Sequence, residues 1–128
     1  MKIGVILSSF RLPPYQALER AAGLGADGVQ LWCASGELTA EALAADDRRR
    51  LRRRIADLGL EVSALCADFG QSYVRARELE WLVPRTKAAV GLAADMEVDV
   101  ITTHIGVVPH DRSDHRIDRA SRWLRAPG

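Results

Sequence analysis

Two rhythms of apolar and polar positions run through this chain: short β-branched runs, and longer stretches with helical spacing. Lys2-Ile3-Gly4-Val5-Ile6-Leu7 is a brief apolar run ending in Ser8-Ser9, the pattern of a strand covered on both faces. Pro13 and Pro14 mark a turn, and Pro14 suits the first turn of a helix. That helix carries Leu18, Ala21, Ala22 and Leu24 near one stripe and stops at Gly25. Gly28-Val29-Gln30-Leu31-Trp32-Cys33-Ala34 reads as the second strand, closed by Ser35-Gly36. Thr39, flanked by Glu37 and Glu41, is placed to cap a second helix. The stripe of that helix is Leu43, Leu51, Ile55 and Leu58, and Gly59 ends it.

The third strand, Leu60-Glu61-Val62-Ser63-Ala64-Leu65-Cys66-Ala67, runs out into Asp68-Phe69-Gly70-Gln71-Ser72-Tyr73. A long helix follows from about Arg77 to Asp95, offering Leu79, Leu82, Val83, Thr86, Val90 and Ala93 to the core. Pro84 inside it predicts a kink, or a short preliminary turn before the main helix. The fourth strand contains Val98, Val100 and Ile101 and passes into Thr102-Thr103-His104-Ile105-Gly106. Beyond Pro109, Ser113 or Asp114 caps a last helical segment with Ile117, Ala120 and Leu124, cut off by Pro127-Gly128.

Strand and helix thus repeat four times, with strands near 2–8, 28–34, 60–67 and 98–105 of one domain covering 1–128. Three junctions look alike: Leu24-Gly25-Ala26-Asp27-Gly28-Val29, Leu58-Gly59-Leu60-Glu61-Val62 and Ala94-Asp95-Met96-Glu97-Val98. The repeat is roughly thirty residues, and a (β/α)8 barrel of ~250 residues divides into eight units of that size. The expected fold class is α/β, four βα units forming half of a TIM barrel. A small doubly wound parallel sheet allows the same alternation. Strand order separates the two: 1-2-3-4 for the half-barrel, 2-1-3-4 for the alternative. Period-two alternation puts Val62, Ala64, Cys66 and Asp68 on one face, as it does Val100, Thr102 and His104. A half-barrel would then gather His104, Asp68, Cys33 and Ser8 near one rim.

Composition narrows the classes. With 128 residues, 48% hydrophobic and 27% charged, the chain suits one soluble domain with a real core. A formal net charge of +1 supplies no field to draw it onto nucleic acid or an anionic membrane. No apolar run approaches the ~20 residues of a membrane span, and no signal peptide is visible. Cys33 and Cys66 form no CxxC and read as free thiols of a reducing cytoplasm. Arg48, Arg49, Arg50, Arg52, Arg53 and Arg54 crowd one side of the second helix. As a phosphate or nucleic-acid patch they lack interleaved aromatics; as a solvated face they are compensated from Asp46 to Arg50 and from Arg53 to Asp57.

Candidate chemistry sits at the strand ends, where parallel α/β proteins place their ligands. Asp68 and His104 lie there, with Ser8, Ser9, Gln30 and Gln71 as polar lining. His104 is open to two readings, a site residue or a core-edge histidine satisfied by a backbone carbonyl. Asp68 is open to two as well, a site residue or the cap of its own loop. Spacing alone identifies no catalytic residue.

Met1-Lys2-Ile3-Gly4-Val5-Ile6, residues 24–31, residues 58–66 and Thr102-Thr103-His104-Ile105-Gly106 occur together in order, up to about Asp114. In these segments the chain resembles the N-terminal half of the sugar phosphate isomerase/epimerase family, the xylose-isomerase-like TIM barrels. The resemblance implies metal-assisted proton transfer on a small sugar or sugar phosphate, with Mn²⁺, Mg²⁺ or Zn²⁺ as the divalent ion. It also implies that His104 binds metal or substrate, and that Asp68, Gln71 and Ser8 contact substrate. Family members continue into a second half that supplies acidic and histidine metal ligands. Relatives often carry a histidine just after strand three, where this chain has Gly70-Gln71-Ser72. The expectation is a truncated relative with weak or absent metal binding and no activity on its own. A non-catalytic fragment or a self-associating scaffold is the alternative, two copies closing an eight-stranded barrel as a homodimer. Cleavage of DNA at abasic sites occurs on the same superfamily fold, but near-neutral charge and the lack of a stacking platform argue against it.

Overall fold

Four parallel strands, β1 (Gly4–Ile6), β2 (Gly28–Trp32), β3 (Glu61–Cys66) and β4 (Ile101–Thr102), stand in the order β1-β2-β3-β4. The computed structural model describes residues 1–73 and 75–106, with Ala76 by its backbone alone. Helices α1 (Pro14–Gly23), α2 (Ala45–Asp57) and α3 (Ala76–Met96) fill the crossovers. Sequential parallel pairing is the wall of a barrel, and it removes the doubly wound order.

The two faces of the sheet differ. Val29, Leu31, Leu65 and Ala67 pack with Leu18 and Ala21 of α1, Leu51 and Ile55 of α2, and Ala89 and Leu92 of α3. Each fully buried leucine there is worth about 1.5–3 kcal/mol relative to exposure. The other face is open: Ile6 is 51% exposed and Val100 49%. Among the described residues, helices therefore cover the outside of the wall and leave Ile6 and Val100 of its inside exposed.

The three helix-to-strand junctions are one motif repeated. Gly25, Gly59 and Glu97 all take left-handed backbone, at φ 77°, 70° and 56°. Their N–H groups donate to Ala22, Ala56 and Ala94 at 2.9, 2.9 and 3.1 Å. The next residues, Ala26, Leu60 and Val98, donate to Ala21, Ile55 and Ala93 at 3.2, 3.1 and 2.9 Å. These are Schellman closures, which satisfy carbonyls the helix end would otherwise leave bare. Glycine makes the first two cheap; the third is made by a glutamate.

Several local expectations need correction. Leu7–Phe10 coils into a 3-10 turn, so Ser8 leaves the first strand. Among the described residues the fourth strand is short, pairing Leu65 with Ile101 and Cys66 with Thr102. Thr39 caps a turn and not α2: its Oγ1 accepts from the Ala42 N–H at 3.1 Å, while α2 starts at Ala45 with no side-chain cap. Pro84 lies within one helix, Ala76–Met96, with no separate preliminary turn. Leu24 and Val90 are exposed at 59% and 53%; in α3 the expected Leu82 and Ala93 are buried, joined by Ala89, Leu92 and Met96. A register shift in β3 pairs Val29 with Val62 but Gln30 with Ala64, which makes Ser63 the extra residue. Alternation is reset there, so Val62 packs toward the helices while Ala64 and Cys66 keep the inner face. The expected last helical segment with Ile117, Ala120 and Leu124 lies outside the described residues.

The arginine-rich side of α2 is largely neutralised. Asp46 pairs with Arg49 and Asp47 with Arg50 at i,i+3, one position tighter than the expected spacing. Arg52 pairs with Glu97 and Arg54 with Glu19. Arg48 is structural: it reaches Asp95 on α3 at 2.5 Å and donates to the carbonyls of Leu43 and Ala40 at 2.9 and 2.6 Å. No helix among the described residues is long and apolar enough to cross a membrane.

Candidate functional site

Asp68 and His104 leave the ends of neighbouring strands, β3 and β4, two residues beyond each. The paired register of Cys66 and Thr102 carries forward, so both side chains emerge level on the inner face. There His104 Nδ1 lies 2.6 Å from Asp68 Oδ2. The other carboxylate oxygen accepts the Gly70 N–H at 3.0 Å, which is the loop cap anticipated for Asp68. Both readings of this residue therefore hold at once. The Gly70 N–H and, after it, the imidazole hold the Asp68 carboxyl below its ordinary 3.8.

The pair is asymmetric in exposure: the His104 side chain is 81% accessible and that of Asp68 20%. With the carboxylate ionised, Nδ1 carries the proton and donates it to Oδ2. In the neutral imidazole this leaves the Nε2 lone pair turned away from Asp68, able to accept a hydroxyl proton or to ligate. His104 is thus not a core-edge histidine resting on a backbone carbonyl.

The loop after β3 fixes the loop after β4. The Tyr73 N–H donates to the Ile105 carbonyl at 3.2 Å, and the Ser72 hydroxyl approaches the same oxygen at 3.5 Å. Glu78, in the first turn of α3, accepts the Ser72 N–H at 2.6 Å, and this bond, more than the Arg75 pairing, lowers its carboxyl. Gly106 completes the knot with φ 110° against Ser72. Sequence reasoning missed this knot, because neither a serine nor a glycine signals a close approach across 34 positions.

The other expected site residues are dispersed. Gln71 is exposed on the loop between Gly70 and Ser72. Ser8 lines a separate cavity of about 180 Å³ between the 3-10 turn after β1 and the end of β2 with its following loop, with Leu7, Trp32, Ser35 and Glu37. There the Trp32 indole N–H donates to Ser35 Oγ at 2.9 Å. Gln30 bonds Thr102 Oγ1 at 2.9 Å across the inner face and is therefore engaged within the wall. Cys33 does not reach the rim: it is buried on the helix side, and its Sγ donates to the Cys66 carbonyl at 3.2 Å. Burial pushes its thiol up to about 11. Cys33 and Cys66 are both free.

A divalent ion is not well served by these residues. Among the described residues no group of three or more His, Cys, Asp and Glu side chains converges. Asp68 already uses both oxygens, which leaves His104 Nε2 as the uncommitted donor, whereas Mg²⁺ and Mn²⁺ take several oxygen ligands. The described residues do not by themselves fit a metal centre.

Comparison with known proteins agrees with this architecture. A family model described as xylose isomerase-like TIM barrel matches residues 18–126. The probable 3-DHS dehydratase AsbF of Bacillus anthracis, involved in petrobactin synthesis, superposes with a TM-score of 0.74 at 20% identity, over 98% of this chain and 46% of its own. A xylose isomerase domain protein from Planctomyces limnophilus gives 0.70 at 19%, over 95% and 48%. An AP endonuclease, family 2, from Brucella melitensis gives 0.61 at 17%, over 97% and 51%. The chain therefore spans about half the length of these structures. No curated protein matches it significantly.

Proposed function

Because this chain belongs to the xylose isomerase-like TIM barrel family, we propose that it carries part of the site of an isomerase or epimerase acting on a small sugar or sugar phosphate. The observation that carries this reading is the 2.6 Å contact between His104 and Asp68 at the C-terminal ends of adjacent parallel strands. Asp68 orients the imidazole, and His104 Nε2 accepts a hydrogen bond from a substrate hydroxyl. Moving a proton at carbon also needs a second positioned group and an electrophile, and neither stands beside His104 among the described residues. The isolated chain is accordingly a binding half-site with no substantial turnover.

The test is a titration of the chain with ketose and aldose phosphates, following the His104 ring resonances, beside a turnover assay with Mn²⁺ or Mg²⁺ supplied. Saturable perturbation of His104 without turnover is expected. An unresponsive imidazole refutes the substrate assignment; His104-dependent turnover with tight stoichiometric metal binding refutes the half-site.

The open inner face favours a second reading for the chain on its own, a scaffold that pairs with another copy. The edge strands β1 and β4 have one neighbour each among the described residues, and Ile6, Val100 and Ile105 are exposed beside them. Two copies related by a two-fold axis would cover both edges. Light scattering should then show a dimer, and a stable monomer across a concentration series would reject it.

A further inference from the structure

Outside the Asp68–His104 pair, the least explained group in the chain is Arg85. It lies on α3 against two aromatic rings, with its guanidinium carbon 4.7 Å from the Trp81 ring centre and 5.4 Å from that of Phe69. The two rings meet edge to face at 5.8 Å. Its Nε is shut off from solvent with no hydrogen-bond partner, and among the described residues Arg85 makes no ion pair. An unpartnered buried N–H costs about 1–3 kcal/mol, and because Nε is closed to solvent the donors left for a ligand are the terminal nitrogens. The arginines of α2 provide a contrast, since most of them have found carboxylates.

Arg85 borders an open groove of about 620 Å³ between the loop after β2 and the first turns of α3. Ser35, Thr39, Glu41, Glu80 and Trp81 share the lining. Contact with both rings restricts the guanidinium, whose terminal nitrogens supply a planar fork of donors. Ser35 Oγ already accepts from the Trp32 indole, which leaves its own hydroxyl proton to donate. Glu41 and Glu80 pull the other way. Two carboxylates lining the same groove as one guanidinium, without pairing to it, disfavour a multiply charged anion and reward hydrogen-bond donors on the ligand.

We propose that this groove binds a small monoanionic carboxylate bearing hydroxyl groups, with the carboxylate on Arg85 and the hydroxyls donating to Glu41 and Glu80. A sugar acid has this chemistry. The inference stands apart from the reading of Asp68 and His104, and none of its residues belongs to that pair.

The probe is glycerate, titrated into the full chain while the Trp81 indole N–H resonance is followed, assigned through Trp81→Phe. Saturable movement is expected, with glycerol inert and inorganic phosphate binding at least tenfold more weakly. Arg85→Lys keeps the charge but loses the fork, and should weaken glycerate at least tenfold with an unchanged far-ultraviolet spectrum. Arg85→Gln should abolish binding. If either variant unfolds, Glu41→Gln provides the second arm, narrowing the preference for glycerate over phosphate. No saturable shift with glycerate, an Arg85→Lys chain that binds it equally well, or phosphate binding as tightly as glycerate would overturn the proposal.

Discussion

A Cβ built on Gly106 would fall 2.2 Å from the Oγ of Ser72 and 2.9 Å from its Cβ. The loops that follow β3 and β4 therefore touch at a point that has no room for a single methyl group. Since His104 is two residues from this contact, the geometry of the candidate site depends on it.

Gly106→Ala should force the two loops apart, because both the φ of 110° and the contact oppose a side chain. A loss of about 1–3 kcal/mol in chemical denaturation is expected, together with loss of the His104–Asp68 coupling by NMR. Adding Ser72→Gly should recover part of it, since that change relieves the crowding and leaves the backbone strain. A Gly106→Ala chain of parental stability would contradict the contact.

Asp68 should titrate below its ordinary value of 3.8 in the folded chain. The sign follows from linkage: a depressed carboxyl contributes stability that is complete above the unfolded value and lost as pH falls through the folded one. His104→Ala should raise the midpoint only in part, because the Gly70 N–H is the larger cause and remains. Carboxyl ¹³C shifts between pH 2 and pH 6 would report it, where a return to the ordinary value in His104→Ala would reverse that ranking.

The repeated helix closures make a paired forecast. Gly59→Ala places a Cβ on left-handed backbone and should destabilise by about 1 kcal/mol. Glu97→Gly removes such a Cβ and should stabilise by about 0.5 kcal/mol, after allowing for the freer unfolded chain and the exposed pairing with Arg52. Equilibrium urea denaturation distinguishes the two signs.

On α3, Leu92→Ala should cost about 2–5 kcal/mol and Val90→Ala less than about 0.5 kcal/mol. Leu92 is 1% exposed and Val90 53%, although the sequence makes them look equally apolar. Similar losses at both positions would mean that the helix is turned differently.

The order of elements could be read from the chain because each unit repeats the same local grammar: β-branched run, helix, left-handed stop. Position within a unit was less legible wherever one residue serves two masters. Ser63 looks like an ordinary strand residue, yet its insertion reverses the facing of Val62. Thr39 has the chemistry of a cap, and only tertiary packing decides that it closes a turn six residues before α2. Asp68 and His104 stood out because polar groups at the ends of parallel strands stand where α/β proteins place their ligands. Ser72, Gly106 and Arg85 did not, since their significance is a matter of distance in space.

The hydrogen bond from Gln30 to Thr102 passes over the small side chain of Ala64 and ties β2 to β4 at 2.9 Å. In a flat sheet, strands two apart stand about 9.5 Å from each other. Side chains that meet across that gap lean together on the inner side, and this is what a bowed wall does. The arch is thus set by bonds within these three strands. The curvature of this wall is therefore a property of its own side chains as well as of its backbone ladder.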